Sequence, residues 1–317
     1  MVSKSKEPKY ALVHADLNRV FIHKADYNRP RMTGLFGWPE CMEGELKTIV
    51  EDVDDYDIIH INVCTATLPY PGMLKQRGFE GTIVANLDYD MDMLPGHGGI
   101  KNFINSLNEA DYIFGVSHSQ IAGLQHLVSK DIHKINHPCD TEHIKPLQTP
   151  VGSRDGIGVM LHGKYRQPGH TITTATDRFM GKEKVILFNT SGNLDPEAFD
   201  IGYLPMDFHP YLNILSRMKV GLDGHRDVAW GRFQLDCAAL GIPCVGPRNV
   251  ENQLSLFPNL TVETHSHFED MNDKIQLLLD NPDFYQACAD YAFEKVQREY
   301  SYQSCKEAML KAVRWGQ

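Results

Sequence analysis

Short apolar runs recur along the chain, separated by amphipathic or polar stretches, and this alternation predicts parallel sheets flanked by helices. In the first half, the runs at 10–14, 58–63, 82–86 and 112–116 read as strands, with 132–135 as a short fifth. Helices are expected near 42–51 and over 100–107. Ser117 with Gln120 three residues on makes a capping-box start for a helix carrying Ile121, Leu124 and Val128. The stretch 145–155, polar and with two prolines, reads as a linker. The pattern then restarts at 156–162 and continues with strands at 184–188, near 199–203 and at 220–222. Phe233, Leu235, Cys237, Ala238 and Leu240 supply the apolar surface of a helix, and Gly241 suits the left-handed position past its end. Pro243 begins a buried strand ending at Gly246, too short a run for a second helix. After a short strand near 260–262, helices over 271–279, 282–299 and 303–315 finish the chain.

Composition narrows the classes. The 317 residues suggest two domains of roughly 150 residues, each able to bury a core without disulfides or metals. A net charge of −10 argues against broad, sequence-independent nucleic-acid binding. The polar start Val2-Ser3-Lys4-Ser5-Lys6 is no signal peptide, and no apolar stretch is long enough to span a bilayer. Seven cysteines, odd in number and without a CxxC pair, favour a reducing cytoplasm. The fifteen histidines are scattered, and no HExxH or Cys/His ligand spacing occurs.

Four segments, in order, carry a resemblance. Ala110-Asp111-Tyr112-Ile113-Phe114-Gly115-Val116-Ser117 is a strand leading to a helix start, and Ile135-Asn136-His137-Pro138-Cys139-Asp140-Thr141-Glu142 follows it. Asp236-Cys237-Ala238-Ala239-Leu240-Gly241-Ile242-Pro243-Cys244-Val245 and Tyr300-Ser301-Tyr302 complete the set. Together they resemble the retaining, two-domain glycosyltransferases of the group 1 (family 4) superfamily. The resemblance implies an α/β protein of GT-B fold, with two Rossmann-like domains facing across a cleft. Residues 1–148 would form the acceptor domain and 156–298 the nucleotide-sugar domain, while 299–317 would be a helix crossing back onto the first.

Ligands of such sheets bind beyond the carboxyl ends of the strands, so loops there are the candidates. The resemblance implies that Asp236 takes the place of a glutamate that hydrogen-bonds ribose hydroxyls. The family's other acidic residue lies eight positions earlier, where this chain has Val228; Asp227 stands beside it and Asp223 further up the loop. Lys164 falls on the family's diphosphate-binding arginine, and Arg166 is placed to supply the second cation. Arg232, at a helix start, is a further phosphate candidate. His225 and Arg226 would face the transferred sugar, and Trp230 would pack on a ring. On the acceptor side, Asp88 and His97 are the catalytic candidates together with Asp227. The loop after the first strand carries Asp16, Arg19 and Arg31, a basic cluster that would suit an anionic acceptor: a glycan, lipid or nucleic acid.

The resulting expectation is a cytoplasmic hexosyltransferase that moves a sugar from a nucleotide-diphosphate donor with retention. It would need no cofactor and no metal, although Asp88, Asp90 and Asp92 repeat the Asp-x-Asp pattern of metal-dependent transferases. The alternatives are a phage-type DNA-base glycosyltransferase and a non-catalytic relative that binds a nucleotide or glycan. Peripheral membrane attachment, or a host cytoplasm for a viral chain, stays open.

Overall fold

The computed structural model of the chain describes residues 7–15, 34–49, 51–87, 99–160, 178–179, 182–188, 208–225 and 228–316. These form two compact units: Met1–Pro138 with Tyr300–Gln317, and Cys139–Glu299.

The first unit holds strands β1 (Tyr10–His14), β2 (Glu45–Thr48), β3 (Ile58–Asn62), β4 (Thr82–Leu87), β5 (Tyr112–Gly115) and β6 (Ile132–Lys134). They form one parallel sheet in the order β2-β1-β3-β4-β5-β6. Its helices are α1 (Trp38–Cys41), α2 (Tyr70–Gln76), α3 (Ile100–Glu109) and α4 (His118–Leu124). β1, β3 and β5 read as near-continuous apolar runs because both faces of the sheet are covered. Alternate residues go to opposite faces. Ala11, Val13, Ile59, Ile61, Ile83 and Ala85 pack with Leu74 of α2 and Phe103 and Leu107 of α3. On the other face Tyr10, Leu12, Ile58, Val84 and Phe114 pack with Trp38 of α1 and with Cys305, Met309 and Val313 from the end of the chain.

In the second unit, α5 (Thr141–Ile144) leads to β7 (Ile157–Met160), β8 (Val185–Phe188), α6 (Phe208–Leu215), β9 (Val220–Asp223), α7 (Arg232–Ala239) and β10 (Cys244–Pro247). Helix α8 (Glu251–Leu256), β11 (Thr261–Val262), α9 (Phe268–Asp280) and α10 (Pro282–Glu299) follow, before α11 (Tyr302–Ala312) rejoins the first unit. The sheet is again parallel, in the order β11-β10-β9-β7-β8. Each sheet thus begins near its middle, runs to one side, and then reverses to the other. The reversal points lie between β1 and β3 and between β7 and β9, where open α/β sheets bind ligands at the strand carboxyl ends.

Most elements fall where the hydrophobic pattern puts them, including the Ser117 cap, whose Oγ accepts from Gln120 N–H at 3.2 Å, and the left-handed Gly241 at φ +66°. Several differ. The helix expected over 42–51 is replaced by α1 and edge strand β2. Val128 lies beyond the end of α4, and α2, α5, α6 and α8 arise in segments with no helical expectation. The strand expected near 199–203 lies outside the described residues. Among the described residues, no helix is long and apolar enough to cross a membrane.

Candidate functional site in the second unit

β9 ends at Asp223, beside Met160 at the end of β7. The Asp223 carboxylate is buried and fully engaged in the fold. Its Oδ1 accepts from the His225 backbone N–H at 3.0 Å, and its Oδ2 accepts from Gln234 Nε2 of α7 at 2.7 Å. One carboxylate therefore fixes both the turn after β9 and its spacing to the next helix. It is a scaffold group, and its bond to Gln234, eleven residues away, matches no spacing motif.

The chain from Val228 to Gly231 is held against the segment after β10. Ala229 N–H donates to Asn249 O at 3.2 Å, Glu251 N–H to Ala229 O at 2.9 Å, and Asn252 N–H to Trp230 O at 2.9 Å. The Asn252 side chain donates to Gly231 O at 3.0 Å, and Asn249 Nδ2 to His225 O at 3.1 Å. Gly231 then opens α7 at φ +95°, where a Cβ would stand 2.4 Å from Val250 Cγ1. Only glycine meets both demands.

Gly231, the residue before α7, has no side chain to cap it, and the first N–H groups and dipole of the helix favour an anion there. Arg232, the first helical residue, is half exposed. Its Nε lies 3.7 Å from Asp236 Oδ2, one turn along, while the Asp236 side chain is only 1% exposed. Asp236 also accepts from the Tyr211 hydroxyl; burial, and then the Asp236 charge, push the Tyr211 pKa well above its usual value. Asp236 is therefore an internal anion rather than a solvated helix carboxylate, and Arg232 is the solvent-facing member of the pair. His225, on the same loop, is buried.

Of the residues singled out in the sequence, α7 brings together Arg232 and Asp236, while His225 after β9 and Trp230 before α7 are each tied to the segment after β10. Asp16, Arg19, Arg31, Asp88, His97, Lys164, Arg166, Arg226 and Asp227 lie outside the described residues. Among the described residues, no group of three or more His, Cys, Asp or Glu side chains is placed to hold a metal ion.

A family model described as "Glycosyl transferase-like" matches residues 198–311, which include this loop and α7. No curated protein matches the chain. Among solved structures, sucrose-phosphate synthase from Thermosynechococcus elongatus is similar over 96% of this chain and 98% of its own, with TM-score 0.69 and 13% identity. Anabaena HepE, in complex with UDP and glucose, covers 97% and 100%, with TM-score 0.66 and 11% identity. An E. coli trehalose-6-phosphate protein bound with UDP-2-fluoro glucose covers 83% and 74%, with TM-score 0.66 and 12% identity.

The paired parallel sheets and these likenesses define a protein of GT-B fold, with two Rossmann-like domains. The family match adds, over residues 198–311, a likeness to glycosyl transferases.

Proposed function

We propose that the protein transfers a glycosyl group from a nucleoside-diphosphate sugar to an acceptor hydroxyl, with retention, without a metal, and in the cytoplasm. The observation that carries this reading is the start of α7, which its N-cap Gly231 leaves without a side-chain cap, with Arg232 beside it, on the carboxyl side of β9. A diphosphate gains charge as it leaves, and a preorganised dipole and cation stabilise that charge. Arg232 would act there with Lys164 and Arg166. Asp236 would take the ribose hydroxyls once its contacts with Tyr211 and Arg232 loosen. His225, Arg226 and Asp227 would face the sugar, and Asp88 and His97 the acceptor. No covalent nucleophile is assigned: the departing phosphate would assist the acceptor hydroxyl on the same face, and the protein would contribute alignment. HepE with UDP and the E. coli protein with UDP-2-fluoro glucose make UDP-sugars the first donors to test.

The test is a thermal-shift panel of UDP-, GDP-, ADP- and dTDP-sugars, with and without Mg²⁺ or Mn²⁺. A donor at about 100 times its Kd stabilises the fold by roughly 2.7 kcal/mol. A metal-independent shift confined to one base supports the reading, and no shift with any donor overturns it. A second reading, binding without turnover, is favoured by Val228 in the place of the family's acidic residue and by the engagement of Asp223 within the fold. Measurable transfer or donor hydrolysis excludes it.

A further inference from the structure

The face of the first sheet that carries Tyr10, Ile58, Val84 and Phe114 changes character toward the strand carboxyl ends. There His60 and Asn62 of β3 and Asn86 of β4 are each at least 99% buried. Asn62 and Asn86 are register partners, and His60 lies two residues before Asn62, so all three share one face. His60 Nδ1 bonds the Tyr10 hydroxyl at 2.6 Å. Among the described residues, His60 Nε2, Asn62 Oδ1 and both polar atoms of the Asn86 carboxamide have no partner in good hydrogen-bonding geometry, apart from a loose side-chain contact between His60 and Asn86. A buried polar atom left without a partner costs more than a paired one gains, so natural interiors rarely tolerate several side by side. Here they gather beside the β1/β3 reversal point, where such sheets take ligands.

The cluster is uncharged. Burial, with His137 adding to it, holds His60 at a pKa of about 3, while Asn86 beside it pulls weakly the other way. Two carboxamides and a neutral imidazole both donate and accept. That suits a hydroxyl, which does the same, whereas a buried ion would find no counter-charge in this cluster.

We propose that His60, Asn62 and Asn86 form a binding site for an uncharged sugar or polyol, read through its hydroxyl groups. This rests on the glycosyltransferase reading for its role, as the acceptor's place, but not for its chemistry. It differs from the anionic acceptor that Arg19 and Arg31 raise, and the experiment separates the two. The full-length protein is titrated calorimetrically with glucose, fructose and myo-inositol and with their phosphate esters, each with and without UDP. At least one neutral compound binds, and its phosphate ester binds no more tightly. Asn62→Leu and Asn86→Leu each weaken that binding about tenfold, the loss of one hydrogen bond, while UDP affinity and melting temperature do not fall. Failure of every neutral compound overturns the proposal, as does a phosphate ester that binds more than about tenfold tighter. Equal binding by wild type and both leucine variants also overturns it and leaves the cluster as a seat for enclosed water. Loss of UDP binding alone strikes the glycosyltransferase reading and leaves the sugar result standing.

Discussion

Replacing Arg154 by methionine should loosen α7 at its far end. Arg154 is 7% exposed, and its guanidinium donates to Thr149 O at 2.9 Å, Leu240 O at 3.0 Å, Gly241 O, and the Tyr285 hydroxyl at 2.9 Å. Tyr285 passes the contact on to Lys219 O, just before β9. The cation thus sits on the negative end of the α7 dipole and on carbonyls that the helix leaves unbonded. Hydrogen bonds from a charged donor contribute about 1.5–3 kcal/mol each, and a stranded buried acceptor costs about 1–3. These terms overlap, and removing the charge also relieves its own burial, so the net loss is about 3 kcal/mol. Two units invite more than one unfolding transition, so a local probe is needed. Hydrogen exchange read by mass spectrometry should show peptides over 235–241 losing protection by roughly a hundredfold. Peptides over β3 and β4 should change little. Arg154→Lys keeps the charge but not the planar fork, and should recover only part of the protection. Loss of less than about threefold at 235–241, or an equal loss in both units, would refute the reasoning.

Three further outcomes are expected. Gly231→Ala must carry a left-handed backbone and a Cβ 2.4 Å from Val250; it should cost about 2–4 kcal/mol, seen as a lower melting temperature, and an unchanged melt would contradict the assigned loop. Arg232→Met should weaken nucleotide binding about tenfold and, by taking the cation from the buried Asp236 carboxylate, also lower the melting temperature; calorimetry with UDP on the folded variant decides this, and unchanged affinity would contradict the assignment. His60 has a lowered folded pKa, so the native state binds fewer protons and stability falls as pH drops from about 6.5 toward about 3. The slope is about 1.4 kcal/mol per pH unit, with Tyr10, His137 and Asn86 as its neighbours. Denaturation at pH 7 and pH 5 should show His60→Gln losing less stability than wild type, and equal losses would sink the assignment.

Much of the fold was legible because parallel strands covered on both faces announce themselves as apolar runs. The misreadings have local causes. Met42, Leu46, Ile49 and Val50 fall at helical spacing, yet Glu45–Thr48 is a partly exposed edge strand, where pairing with β1 outweighs the weak periodicity. Pro71 and Gly72 disguised α2, although proline is tolerated in a first helical turn. The site was less legible still. Asp236 was visible as a carboxylate on a helix, but its burial against Tyr211 and Arg232 depends on packing no spacing rule records. His60 and Asn62 read simply as strand residues, since nothing in one sequence marks a buried polar atom whose partner is missing.

The return of α11 to the first unit bears on how the protein is made. Cys305, Met309 and Val313 complete the face formed by Tyr10, Leu12 and Trp38, and Lys306 pairs with Glu43 at 2.8 Å and Glu7 at 3.1 Å. On a ribosome adding ~5–20 residues per second, everything from Cys139 to Glu299 must be synthesised before that face can close. For roughly 8–30 seconds the earliest part of the chain exposes an apolar surface whose cover does not yet exist. Although begun first, this unit is finished last.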